Sequence, residues 1–349
     1  LAVKELGWVS IVVSEGGIMM KELERAEVEH IELPLSSKNP FTMHKNFNSL
    51  SSIIYDRKVD IVHARSRAPA WSAYYASKRF DTNFVTTFHG TYNYKDFIKK
   101  KYNSIMTKGK RVIAISKFIK NHIIEKYGIE AEKIVKIPRG IDLNSFDPTK
   151  VSHERIIQLS NSWRLSDGTQ IIMLPGRLAR WKGHKVLIEA LGKLKRRDFR
   201  CIFVGSELGN ENNKKYLIKI IRENNLSELV QFVNHCTDMP AAYMLSDIVV
   251  SASTDPEAFG RVSVEAQAMN RIIIASDHGG SSETIMNKKT GILFLNNNSD
   301  SLSKAINSAL QMDIESRKKL GEAARNHVSS EYRLEYMQQS TIKLYQELI

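Results

Sequence analysis

Two carboxylates, Glu257 and Glu265, stand eight positions apart in the stretch "DPEAFGRVSVEAQAMN" at residues 255–270. Upstream, "MLPGRLARWKGHKVLIEAL" supplies a Pro-Gly turn, Arg177, a loop, and then Lys182-Gly183 at the start of a helical pattern. An Arg and a Lys near a helix start, with glycines that let the backbone come close, suit a diphosphate. The guanidinium grips two oxygens and the ammonium adds a point charge. The same two cations in a loop are equally the pattern of a solvated surface, and their spacing is not that of a P-loop. Glu265 lies among apolar neighbours in "RVSVEAQAM", where a carboxylate is costly to bury without a partner. A sugar diol donating two hydroxyls is one such partner; a nearby Arg is the other. Glu257, next to Pro256 and ahead of Gly260, falls in a loop at a strand's end.

The elements that must position these side chains are legible on either side of them. "WVSIVVS", "VDIVHAR", "FVTTFHG" and "RVIAIS" are short, apolar and β-branched, each followed by a helical or loop segment. A turn-rich crossing follows, "KIPRGIDLNSFDP", punctuated by Pro138, Gly140 and Pro148. A second series then runs "TQIIMLPG", "FRCIFVG", "LVQFVN", "DIVVSAS" and "RIIIAS", separated by helical stretches such as "HKVLIEALGKLKRR", and long helical segments close the chain from Ser301. Continuously apolar strands alternating with helices predict an α/β protein with two doubly wound parallel-sheet units and ligands beyond the carboxyl ends of the strands. The expected domains are 1–149, 150–325, and a C-terminal helix at 326–349 returning towards the first domain. The opening "LAVKELG" reads as the end of an amphipathic helix with a Gly cap, so a βα unit is expected upstream of Leu1.

A chain of 349 residues, 42% of them hydrophobic, can build two buried cores. Every apolar run stops short of the roughly 20 residues that span a bilayer. No signal-peptide pattern opens the sequence. Cys201 and Cys236 lack metal-ligand spacing and are expected as buried thiols in a reducing cytoplasm. The net charge of +13 is concentrated in the first half, where residues 1–150 hold 25 Lys and Arg against 16 Asp and Glu. Between His63 and Lys120, 13 basic residues meet only two acids, Asp81 and Asp96. Such a run is a solvated helical face, or a surface for anionic lipid headgroups or an anionic acceptor. Nucleic acid is the weaker reading, since zinc-finger spacing, an RNP-like aromatic motif and a convincing helix-turn-helix are all missing.

Four motifs in order, "IPRGID", "GRLARWKG", the Glu257-to-Glu265 spacing and "SDHGGSSETI" at residues 276–285, give the sequence its family likeness. It resembles the GT-B retaining glycosyltransferases of family four over nearly its whole length, most strongly from Ile137 to Gly291. The resemblance implies two Rossmann-like domains facing a cleft. There a hexose-type sugar passes from a nucleotide-diphospho-sugar to an acceptor hydroxyl, with retention at the anomeric carbon. Arg177 and Lys182 would neutralise the donor diphosphate, and Glu265 would hold the ribose hydroxyls. Glu257 would face the donor sugar, whose hydroxyls also meet the backbone amides around Phe259 and Gly260. His89, in "TTFHGTY", matches a cleft histidine that touches the donor sugar, and Gly279 and Gly280 would let the backbone approach the donor. Arg139 and Arg65 fall on the acceptor side.

No metal and no other cofactor is expected, because the sequence has no Asp-x-Asp to chelate a divalent ion on the diphosphate. In this family the leaving phosphate takes the acceptor proton, so no general base is assigned. The expected acceptor is lipid-linked or a polysaccharide, in lipopolysaccharide, glycolipid or envelope polysaccharide synthesis. The expected location is cytoplasmic, peripheral on the anionic inner face of the cytoplasmic membrane. Two features depart from the family pattern. The Gly-rich loop after the first strand would lie upstream of Leu1, and "SEGG" at residues 14–17 follows what reads as the second strand. Arg139 stands where relatives commonly carry Asn. A nucleotide-sugar epimerase of the same fold and an inactive nucleotide-sugar-binding remnant are the alternative functions.

Overall fold

The computed structural model describes residues 2–166 and 168–349; Leu1, the first residue of the expected opening helix, and Asp167 lie outside the described residues. The chain divides into two compact units. The first comprises Leu1–Pro138 with Glu335–Ile349, the second Arg139–Leu334.

The first unit contains β1 (Ile11–Ser14), β2 (Glu29–Glu32), β3 (Ile61–Ala64), β4 (Asn83–Phe88), β5 (Arg111–Ala114) and β6 (Ile134–Lys136). β1 pairs with β2 in a two-stranded parallel sheet, while β3-β4-β5-β6 form a separate parallel sheet of four. All four positions of β1 are only partly buried, although its sequence is the kind that parallel sheets cover on both faces. The C-terminal helix, Leu334–Gln346, supplies Leu344 to a core shared with Leu348, Val85, Ile113 and Ile137. The side chain of Asn83 donates to the carbonyl of Leu348 at 2.8 Å, fixing the end of the chain against β4.

The second unit contains β7 (Gln170–Pro175), β8 (Phe199–Val204), β9 (Val230–Val233), β10 (Ile248–Ser251), β11 (Ile272–Ser276) and β12 (Ile292–Phe294). They make one parallel sheet in the order β12-β11-β10-β7-β8-β9. Every residue of β10 and β11 is buried, because helices cover both faces. One face packs Val186, Leu187, Leu217, Leu302 and Ile306. The other packs Trp163, Tyr243, Ala266 and Met269. Chain order runs outward in both directions from the β10/β7 boundary, which makes that boundary the topological switch point of the sheet.

The expected boundaries shift for physical reasons. The junction falls at Pro138/Arg139 and not at 149/150 because the crossing segment is tied to the second unit. The Ile141 amide donates to the Tyr332 carbonyl at 2.8 Å and the Leu334 amide to the Ile141 carbonyl at 3.0 Å. Phe146 packs on Tyr243, and Arg325 donates to the Phe146 carbonyl at 3.0 Å. The same ties keep residues 326–334 in the second unit, so the segment belonging to the first starts at Glu335. Among the described residues no helix is long and apolar enough to cross a membrane.

Candidate functional site

The loops that leave β7 and β10 sit side by side at the switch point, and they bring Lys182 and Glu257 together. The Lys182 ammonium lies 2.6 Å from Glu257 Oε1 and 4.3 Å from the centre of the Trp181 ring. The Ser253 hydroxyl donates to the same carboxylate oxygen at 2.7 Å. Both charged side chains are mostly buried, at 17% and 16% exposure, so the attraction is stronger than that of a surface pair. Arg177, two residues beyond β7, is exposed and forms no ion pair among the described residues. The Thr254 amide donates to the Trp181 carbonyl at 2.7 Å, stitching the two loops. His278 and Asn296, from the loops after β11 and β12, both bond the Thr254 carbonyl.

Glu265 is buried on the helix Arg261–Ala268, and both of its oxygens are engaged. Arg261 Nε donates to Oε1 at 2.6 Å and the Tyr243 hydroxyl donates to Oε2 at 2.7 Å. Burial, with the Glu265 charge alongside, pushes the Tyr243 hydroxyl well above its ordinary pKa, so it remains a donor. The salt bridge to a nearby Arg is therefore realised. Each carboxylate oxygen keeps a further lone pair, so the pairing does not use up its accepting capacity.

The glycines of this region make room for chain. Gly183 has φ +74°, and a Cβ there would stand 1.7 Å from the Ala252 carbonyl oxygen. Gly279 has φ +60°, and its Cβ would meet the Glu257 carbonyl at 2.6 Å; a Cβ on Gly280 would meet the Phe259 Cα at 2.5 Å. The Gly280 amide donates to the Glu257 carbonyl at 2.7 Å. What Gly279 and Gly280 admit in this structure is the 257–259 turn, which carries Glu257. Phe259 is buried with its ring edge-on to Tyr332, and Gly260, φ +85°, caps the following helix.

In the first unit Arg65 and His89, each directly following its strand, meet at the paired carboxyl ends of β3 and β4, with Arg65 Nε donating to His89 Nε2 at 3.4 Å. Beneath them His63 shares hydrogen bonds with the Tyr345 hydroxyl at 2.5 Å and the Thr87 hydroxyl at 2.7 Å. Burial, then the neighbouring Arg65 and His89, holds its pKa down at about 3, so the ring is neutral at physiological pH. Arg139 opens the second unit and is partly buried. Cys201 is buried as expected, but Cys236 is only partly covered, because it lies in the loop beyond the short edge strand β9.

Sequence reasoning passes over Ser253, Trp181, Tyr243 and His63. Arg261 alone carried a usable signal, its four-residue spacing from Glu265 within one helix. Tyr243 is 22 residues from its partner, and no periodicity links them.

Lys182 and Glu257 thus face each other at the switch point of a doubly wound parallel sheet, the place where such α/β sheets take their ligands. Residues 156–327 match the family model of the glycosyl transferases group 1, and residues 3–145 match that of Glycosyltransferase Family 4. The crystal structure of a glycosyltransferase from Rickettsia africae ESF-5 is similar with a TM-score of 0.92 and 41% identity, covering 99% of this chain and 92% of its own. Anabaena Alr3699/HepE, crystallised with UDP and glucose, shares the fold at a TM-score of 0.87 and 22% identity, covering 99% of this chain and 94% of its own. Spore coat protein SA of Bacillus subtilis (strain 168) is 25% identical over 300 residues, 83% of this chain and 79% of its own. The chain belongs to the GT-B glycosyltransferases of the group 1, family four type.

Proposed function

We propose that this glycosyltransferase is metal-independent and retaining, and moves a hexose-type sugar from a nucleotide-diphospho-sugar to an acceptor hydroxyl. Its acceptor is lipid-linked or a polysaccharide, in lipopolysaccharide, glycolipid or envelope polysaccharide synthesis. The observation that carries this reading is the Lys182–Glu257 pair at the switch point, with Arg177 beside it on the same loop. As the anomeric C–O bond breaks, its electron pair goes to the diphosphate oxygen, where Arg177 and Lys182 stabilise the new charge. The acceptor oxygen bonds the anomeric carbon on the same face, and its proton passes to the leaving phosphate. Glu257 faces the sugar hydroxyls with the amides around Phe259 and Gly260, and Glu265 accepts from the ribose diol. Gly279 and Gly280 let the backbone approach the donor, and also hold the turn that carries Glu257. His89 touches the donor sugar, while Arg65 and Arg139 serve an anionic acceptor.

The UDP-glucose complex of the Anabaena neighbour supports a nucleotide-sugar donor and makes UDP-glucose the first to try. Saturation-transfer NMR against a panel of nucleotide-sugars is expected to pick one donor, with binding lost in Arg177→Ala/Lys182→Ala. With acceptor present, turnover should survive a chelator, and the product should keep the donor's anomeric configuration in its proton coupling. Inversion or chelator inactivation overturns the respective part. Binding without turnover points to the remnant. Nucleotide diphosphate released without acceptor points to the epimerase.

The protein is further proposed to act in the cytoplasm, docked on the inner membrane face. Phe97 and Ile98, at 77% and 80% exposure, project beside Lys99, Lys100 and Lys101 on one short helix. Apolar tips next to a cluster of cations suit an anionic bilayer surface.

A further inference from the structure

The first unit carries an apolar groove that the donor chemistry does not use. It runs between the helices Pro40–Asp56 and Arg67–Arg79 and has a volume of about 700 Å³, the size of a small-molecule pocket. Met43, Phe47, Trp71 and Tyr75 give it apolar walls, and no carboxylate lines it. Lys78 and Arg79, both exposed, line it at the C-terminal end of the second helix. The Ser72 hydroxyl is already committed to the Met43 carbonyl at 2.9 Å.

On the helix Arg67–Arg79, Tyr74 packs on the buried Phe84, but two further rings face outward. The helix buries Ala70, Ser72, Ala73, Ala76 and Ser77, and leaves two of its three large rings, Trp71 and Tyr75, partly or largely open, Tyr75 at 52% exposure. Large aromatic side chains left open beside an apolar groove are the kind of patch that marks an interaction surface. The Trp71 ring is held in place, stacked between Tyr75 and Tyr102, with its N–H donated to the Tyr102 carbonyl at 3.2 Å. Tyr102 belongs to the helix Phe97–Asn103 that bears the exposed Phe97 and Ile98. Through Tyr102, the groove's Trp71 is tied to the helix that carries the exposed apolar tips and lysines. Together they call for apolar chain and negative charge from the same partner, and an anionic membrane supplies both. Indole and phenol rings favour that interface.

We propose that this groove holds one acyl chain of an anionic membrane phospholipid, with the lipid phosphate between Lys78 and Arg79. The proposal rests on the membrane docking put forward above and gives it a specific lipid site.

The test uses the full chain and vesicles of phosphatidylglycerol brominated along the acyl chain, with tryptophan fluorescence as readout. Contact with the bromines is expected to quench wild type, and Trp71→Phe should lose most of that quenching while still floating with the vesicles. Tyr75→Asp, at an exposed position, should abolish the Trp71 quenching. Lys78→Gln/Arg79→Gln should weaken vesicle partitioning by roughly thirtyfold, the effect of two cations removed from an anionic surface. Vesicles that bind wild type and leave Trp71 unquenched overturn the groove and leave membrane docking standing; no vesicle binding at all removes both. Equal quenching by brominated phosphatidylcholine overturns the phosphate contact. A wild-type dimer that Tyr75→Asp turns into a monomer assigns the groove to a second copy and also overturns the proposal.

Discussion

Lys182 is held at 2.6 Å from Glu257, a contact that the donor diphosphate proposed above would have to share or displace. Removing either partner therefore leaves a mostly buried charge behind, and the two effects should not add. Lys182→Ala and Arg177→Ala are each expected to lower kcat/KM by about 2 to 4 kcal/mol with donor limiting. Lys182→Ala combined with Glu257→Gln should cost less than the sum of the singles by about 1 kcal/mol or more. Strict additivity in a steady-state assay would separate the two residues functionally. Glu265→Gln should raise the Kd for the donor's bare nucleotide diphosphate by calorimetry. It should also lower stability by about 1 to 3 kcal/mol, since it weakens the acceptor for the buried Tyr243 hydroxyl. Arg261→Gln, whose side chain is 70% exposed, should cost under about 1 kcal/mol. If the bare nucleotide diphosphate binds Glu265→Gln as tightly as wild type, the carboxylate is structural alone.

The loops after β7 and β10 lock together because Gly183 has no side chain to strike Ala252. Gly183→Ala forces both a left-handed backbone and a 1.7 Å clash with backbone, so a loss of several kcal/mol is expected, read as a lower Tm with activity falling alongside. Gly90→Ala is the control, because a Cβ there meets nothing within 4 Å; a Tm as low as that of Gly183→Ala would contradict the packing argument. Most strands at this scale were readable. Nine of the twelve strands among the described residues stand out as apolar runs, and the ones that do not are short. β2 is "EHIE" with one aliphatic residue, and β6 and β12 are three residues each, inside turn-rich segments. Runs so brief carry no period, and pairing with a neighbour makes them strands.

At the scale of the whole chain, two histidines with strongly lowered pKa values contribute to the loss of stability in acid. Burial holds His63 and His184 at about 3, against an ordinary value of 6.5. Between those values the unfolded chain binds protons that the folded chain refuses, so stability falls as pH drops through that window. The slope is up to about 1.4 kcal/mol per pH unit for each histidine. His63→Gln should give a shallower fall of Tm between pH 6.5 and 4 by calorimetry, and a slope equal to wild type would show that His63 does charge in the folded state. The surplus of Lys and Arg in residues 1–150 acts at the same scale. Flotation with phosphatidylglycerol vesicles should rise with anionic lipid and fade once salt shortens the Debye length below about 8 Å. Lys99, Lys100 and Lys101 changed to Gln should weaken it markedly. Wild type that ignores such vesicles at low salt leaves a basic face that serves solubility.

The sequence by itself determined the two α/β units, the parallel sheets, and the identity of the charged residues at the strand ends. These follow from local composition and period: apolar β-branched runs must be buried, and Gly-flanked cations and acids must fall in the loops between them. Which of those residues touch was decided by tertiary structure. Lys182 and Glu257 are 75 positions apart and meet because β7 and β10, distant in sequence, are neighbours in the sheet. Arg261 stands one helical turn from Glu265 and is legible in the sequence, whereas Tyr243, 22 residues away, reaches Glu265 from another helix. The end of the chain joined the first core through Leu344 and Leu348, 259 and 263 residues after Val85, a contact no local window contains. A pattern in sequence records what each segment must bury; the partner that buries it is fixed only when the strands take their order.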